Sequence, residues 1–191
     1  MLRAIATALG LAAVGAVPVI AEGPVPDGGA RQLLIVAPGY WRAGDARKFS
    51  FEVYDLGDGF KRVHRAEPGN VGEVRGICFS PATQRLYVSG HEGMLCYGWP
   101  DKKLLWRRPV EGPKANQNDA VTVTVDGARL YTIRHFGKGL NVYDAADGKL
   151  LRIIHDSEKN TWGRFSQISH DGRRLFVSLR QACMNLRAWV V

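Results

Sequence analysis

The chain has 191 residues, 46% of them hydrophobic, with 22 glycines, 9 prolines and a formal net charge of +8. That length allows one sizeable core, and no stretch reads as a linker between independent units, so a single domain is expected. Abundant glycine and proline with 9% aromatic residues exclude a long-helix architecture and suit many short strands joined by tight turns.

In chain order the first element is a leader. Arg3 precedes an uncharged run from Ala4 to Ile20, and Val19-Ile20-Ala21 forms a small-residue cleavage pattern. The reading is a secretory signal peptide over residues 1–21 and a domain over 22–191. A run rich in alanine and glycine and broken by Pro18 is poorly suited to a permanent membrane span. The mature protein is therefore expected to be periplasmic or secreted, with no stable membrane span after cleavage. Its basic character then points to an anionic glycan, an acidic protein or a small anion rather than to nucleic acid.

Beyond the leader an internal repeat organises the chain. Arg85-Leu86-Tyr87-Val88-Ser89 recurs as Arg129-Leu130-Tyr131-Thr132-Ile133 and as Arg174-Leu175-Phe176-Val177-Ser178, the leucines standing 44 and 45 residues apart. A weaker first copy is Gln32-Leu33-Leu34-Ile35-Val36, although Pro24-Val25-Pro26 ahead of it is a poor strand. Each later copy follows an apolar run and a turn: Gly76 to Phe79 with Ser80-Pro81-Ala82-Thr83, Ala120 to Val125 with Asp126-Gly127, and Phe165 to Ser169 with His170-Asp171-Gly172-Arg173. Asp-Gly at such a reversal supplies positive φ and a side chain that caps the backbone ahead of it. A second hairpin follows the first, with Phe51 to Asp55 before Phe60 to Ala66, Met94 to Trp99 before Lys103 to Val110, and Leu140 to Asp144 before Lys149 to His155. Four strands in this order at this period predict an all-β protein, a β-propeller of four-stranded antiparallel blades.

Leu86-Tyr87-Val88 and the string Val142-Tyr143-Asp144 with Asp147-Gly148-Lys149 resemble the YVTN family of bacterial propeller repeats, related in form to WD-repeat and quinoprotein propellers. Lys103-Leu104-Leu105-Trp106 resembles the outer strand of a quinoprotein blade. The fourth unit reaches Asn185 to Val191, where its third strand is expected, so about three and a half blades are present as an open arc. A ring needs about 4 to 8 blades, which favours reading the chain as a fragment. A second reading is self-association through open blade edges, two chains completing one ring.

The resemblance implies that connections from second to third strands, and from fourth strands to the next blade, share one face where a ligand would sit. On that face the alignment places His91, His135 and Arg180 at one position in successive blades, each five residues after its repeat leucine. Arg134, Lys138 and the segment Lys114 to Asn118 join them, and the long connection Pro38 to Lys48 adds Trp41 and Arg42. Asn118 is expected in a loop. The candidate ligand-binding set is thus His91, His135, Arg180, Trp41, Arg42, Arg134 and Asn118, able to hold an anion by charge-assisted hydrogen bonds. His64 and His155 are expected as solvated edge residues of outer strands, and Cys78 and Cys96 as buried thiols two strands apart. The sequence carries no catalytic signature and implies no metal and no cofactor. The expected function is a noncatalytic binding or scaffold protein, with a propeller enzyme of lactonase or quinoprotein dehydrogenase type, or a nonfunctional fragment of one, as the alternative.

Overall fold

The computed structural model describes residues 19–24, 30–36, 51–66, 71, 74–99, 101–110, 118–134, 139–154, 162–180 and 185–190. Among these residues every regular element is a strand. Strands β1 (Val19–Pro24), β2 (Ala30–Val36), β3 (Phe51–Asp55) and β4 (Lys61–Ala66) form the first sheet. The second holds β5 (Val74–Ser80), β6 (Arg85–Gly90), β7 (Gly93–Gly98) and β8 (Leu104–Pro109), and the third β9 (Asn118–Val123), β10 (Arg129–Arg134), β11 (Leu140–Asp144) and β12 (Leu150–Ile154). A fourth sheet has three described strands, β13 (Trp162–Ile168), β14 (Arg174–Arg180) and β15 (Asn185–Val190). Within each sheet the strands pair antiparallel in sequence order, which is the blade of a propeller, and the blades stand as an open arc that does not close.

The turns form for local reasons that recur. In the third blade Thr124 Oγ1 donates to Asp126 Oδ1 at 2.6 Å, and the same oxygen accepts the Ala128 N–H at 2.9 Å. The fourth blade repeats this with Ser169, Asp171 and Arg173 at 2.5 and 3.0 Å. Gly127 and Gly172 follow at φ of 74° and 72°, the left-handed conformation a side chain disfavours. These hydrogen bonds lower both carboxyl pKa values, the hydroxyl contact contributing most.

Register decides which side chains meet between blades. Leu86 stands opposite Tyr97 and Leu130 opposite Tyr143, and in the first blade Leu34, not Leu33, stands opposite Tyr54. The first repeat copy is therefore shifted by one residue from the sequence alignment. Leu33 and Ile35 consequently face the second blade, with Phe51 and Val53 beside them. The first strand also differs from expectation. It is β1, which pairs Val19 with Ile35 and Ala21 with Leu33, so it straddles the expected cleavage point and ends at Pro24.

Because side chains alternate across a strand, each blade has one face toward the blade before and one toward the blade after. Between the first and second blades Leu33, Ile35, Phe51 and Val53 pack against Ile77, Leu86, Val88, Leu95 and Tyr97, with Phe51 edge-on to Tyr97 at 5.3 Å between ring centroids. Tyr87, Met94 and Cys96 meet Val121, Leu130 and Tyr143 at the next interface, and Tyr131, Ile133 and Val142 meet Leu175 and Val177 at the third. Each buried leucine or valine contributes about 1.5–3 kcal/mol by leaving water.

Polar groups close these interfaces where apolar ones cannot. The Ala145 carbonyl of the third blade accepts from three side chains of the second: Arg85 Nη1 at 3.2 Å, Tyr87 OH at 3.3 Å and Trp106 Nε1 at 3.3 Å. Arg108 Nε donates to the Asp147 carbonyl beside it at 2.8 Å. Between the third and fourth blades Thr122 Oγ1 lies 2.6 Å from Ser166 Oγ and 2.8 Å from the Ser166 carbonyl.

Cys78 and Cys96 flank Tyr87 on neighbouring strands and are free thiols. Burial raises both pKa values, that of Cys96 to about 12, so both remain protonated at neutral pH. His64 departs from the solvated edge position expected for it. It is half-buried with its ring 5.8 Å from that of Phe51, and burial together with nearby Lys102 lowers its pKa. His155 lies outside the described residues.

Candidate binding site at the loop end of the blades

The third blade builds a polar cluster at the end where its second strand leaves for the third. Arg134, the last residue of β10, stands directly opposite Asn118, the first residue of β9. A β-bulge separates this pair from the neighbouring pair of Thr132 with Val121, a distortion that re-aims side chains at strand ends. Asn118 is wholly buried, and its Oδ1 accepts three donors: Thr132 Oγ1 at 2.6 Å, Asn141 Nδ2 at 3.0 Å and Tyr143 OH at 3.0 Å. Three donors on one amide oxygen fix that side chain's orientation. Its Nδ2 is buried and finds no acceptor among the described residues.

Arg134 is 7% exposed. Burial lowers its pKa and the nearby Tyr143 raises it in part; a guanidinium remains charged throughout the neutral range. The alternation of β10 puts Thr132 and Arg134 on the face turned toward the second blade, the face that carries Leu130. There Ser89 Oγ of the second blade donates to the Asp119 carbonyl at 2.6 Å, tying the two blades together one residue from Asn118.

His91 lies in the matching turn of the second blade, half-buried between β6 and β7. Its neighbour Glu92 donates its N–H to the Val71 carbonyl, and the Glu92 carbonyl accepts from Val110 N–H, both at 2.9 Å, so the turn is held from two sides. Arg180 ends β14 opposite Trp162. Of the residues expected from sequence, the structure thus brings Asn118 and Arg134 together and puts His91 and Arg180 at corresponding strand ends of the blades on either side. Asn118 belongs to a strand and is enclosed, in contrast to the loop position expected for it. Trp41, Arg42, His135, Lys138 and Lys114 lie outside the described residues.

Thr132, Asn141 and Tyr143 are the cluster members that sequence reasoning missed. A signal was present for Asn141, which occupies the position held by buried Leu95 in the second blade. An amide at a core position announces a buried polar partner. Among the described residues no group of three or more His, Cys, Asp and Glu side chains is placed to hold a metal ion.

A second concavity of about 400 Å³ runs along the innermost strands β5, β9 and β13. Ile77, Val121 and Ile168 contribute apolar surface to it, and exposed Val125, Phe165 and His170 line it toward its open side.

No family model matches the chain, and no curated protein matches it either. Among solved structures, one titled hydrazine synthase from Kuenenia stuttgartiensis superposes with a TM-score of 0.63 at 15% identity. The match covers 83% of this chain and 42% of that one, so this chain spans less than half the length of the protein it matches. At that identity the likeness concerns the fold alone. With the blade topology it identifies the chain as an open arc of β-propeller blades.

Proposed function

We propose that this chain is a noncatalytic extracytoplasmic binding protein whose blades are of the YVTN kind and whose loop face recognises an anionic or polar ligand. The observation that carries the reading is a guanidinium held at the loop end of the blade stack, with Arg134 set opposite Asn118 and Asn118 locked by three donors. A cation whose surroundings are fixed in advance loses little freedom when an anion arrives, the condition for selective charge-assisted binding. Asn118, being enclosed, acts by positioning, and His91, Arg134 and Arg180 are the contacts proposed for the ligand, with Trp41, Arg42 and His135 contributing from the connections. The net charge of +8 draws an anionic partner toward this surface. The leader pattern before Glu22 supports a periplasmic or secreted location.

The test is titration of the purified protein with carboxylated oligosaccharides, phosphate monoesters and their neutral counterparts. Saturable binding of an anionic probe is expected, weakened at least about tenfold by Arg134→Met, equivalent to about 1.4 kcal/mol. Equal binding of neutral and anionic probes, or indifference to Arg134→Met and His91→Gln together, overturns the reading. Turnover of a lactone by the same preparation would replace it with an enzymatic one.

A further inference from the structure

The outermost strands β4, β8 and β12 are edges, and all three are built alike. Val53 pairs with His64 and Tyr54 with Arg62, which leaves Val63 as the extra residue of a β-bulge. In the same register Cys96 pairs with Trp106 and Tyr97 with Leu104, leaving Leu105, and Val142 pairs with Arg152 and Tyr143 with Leu150, leaving Leu151. Two residues before each extra residue stands an exposed lysine: Lys61, Lys103 and Lys149. Bulges and lysines guard a strand edge against pairing with another chain. Exposed leucines work against that protection.

Leu104 is 46% exposed, Leu105 45% and Leu151 42%. The second blade has a neighbour packed on each side, so the exposure along β8 does not come from lying at an end of the arc. Arg107 and Arg108 follow on β8 and Arg152 on β12, all exposed. Residues 103–109 and 149–154 together hold five cations and no carboxylate, and none of the five makes an ion pair among the described residues. Carboxylates stand in the preceding turns, at Asp101 and Asp147, and Asp147 Oδ1 accepts the Lys149 N–H at 2.8 Å. The first blade differs: its Arg62 and Arg65 pair with Glu52, and Val63 packs against the core. The edges of the second and third blades adjoin, because Trp106 Nε1 and Arg108 Nε donate to the Ala145 and Asp147 carbonyls of the turn leading into β12, at 3.3 and 2.8 Å.

We infer that the outer rim formed by β8 and β12 docks on an anionic lipid bilayer. The cations meet headgroup phosphates, and Leu104, Leu105 and Leu151 enter the boundary between headgroups and acyl chains. Charge complementarity selects a polyanion, and the leucines select among polyanions. A soluble one satisfies the cations and leaves the leucines in water, whereas a bilayer takes up both. The contact is peripheral, lies apart from the loop end, and does not depend on the function proposed for that end.

The test is sedimentation of the full chain with vesicles of mixed phosphatidylglycerol and phosphatidylcholine. Pure phosphatidylcholine vesicles report uncharged attachment, including any by the apolar run Ala4 to Ile20, and the excess over them measures the rim. Combining Lys103→Gln, Arg107→Gln and Lys149→Gln should reduce that excess affinity at least about tenfold. Leu105→Gln with Leu151→Gln should reduce it about tenfold with every charge retained. All five positions are exposed, so circular dichroism should match the parent. Arg134→Met should leave vesicle binding unchanged. Equal binding to anionic and neutral vesicles overturns the inference, as does binding that survives the charge substitutions. Binding indifferent to the leucine pair, or matched by dextran sulfate without need of the leucines, also overturns it by reducing the contact to charge attraction alone.

Discussion

Ser89 Oγ of the second blade and the Asp119 carbonyl of the third are joined by a buried 2.6 Å hydrogen bond, close beside the Asn118 and Arg134 pair. Two blades thereby share one polar anchor at the loop end, where apolar packing gives way to strand termini. Removing the hydroxyl leaves a buried carbonyl without this donor. Ser89→Ala is expected to lower stability by about 1–3 kcal/mol, read as a reduced urea midpoint at unchanged slope. A shift too small to resolve would mean that the anchor is dispensable.

Asn118 concentrates more in one atom, because Thr132, Asn141 and Tyr143 all donate to its Oδ1. Asn118→Leu strands three buried donors and should cost roughly 3 kcal/mol or more, exceeding the loss from Ser89→Ala. Asn118→Asp keeps an acceptor oxygen and should lose less. If the leucine variant melts with the parent, the cluster is not organised by this amide.

Gly148 sits at φ of 74°, and a Cβ there would come within 2.7 Å of Trp106 Cζ3 and 2.8 Å of Arg108 Cγ from the neighbouring blade. Gly148→Ala combines a strained backbone with overpacking at a blade interface and should destabilise by about 1–3 kcal/mol. Gly59→Ala serves as the control, since its φ is 60° with nothing within 4 Å of the added carbon. Similar losses in both would assign the cost to the backbone alone.

His64 gives the fold a dependence on pH. Burial beside Phe51 and the charge of Lys102 lower its pKa below the ordinary 6.5, so the folded state prefers the neutral ring. The unfolded chain takes up a proton first as pH falls. The stabilising contribution is therefore complete above about 6.5 and declines from there down to the lowered native value. Denaturation midpoints should fall across that window in the parent and remain flatter in His64→Phe. Parallel pH profiles would show that His64 does not contribute.

Much of the blade was legible because its causes are local. Asp126-Gly127 and Asp171-Gly172 announce their turns through positive φ and an Asp side chain that bonds two residues ahead. The first unit was harder to read. Leu33 and Leu34 are adjacent, so alternation alone allows either register, and a slip of one residue reverses which face each side chain takes. Only pairing with Tyr54 places Leu34 in line with Leu86 and Leu130.

By itself the sequence determined the strands, their order within each blade and the turns between them, since those depend on residues near one another along the chain. The tertiary structure decided what meets across blades: that Asn118 is enclosed and holds three donors, that His64 leaves water, and that Phe165 stands exposed where Gly76 and Ala120 are packed. The physical reason is distance along the chain. Partners some 44 residues apart, such as Thr122 and Ser166, leave no local pattern, and their meeting is fixed by the spacing at which neighbouring sheets pack.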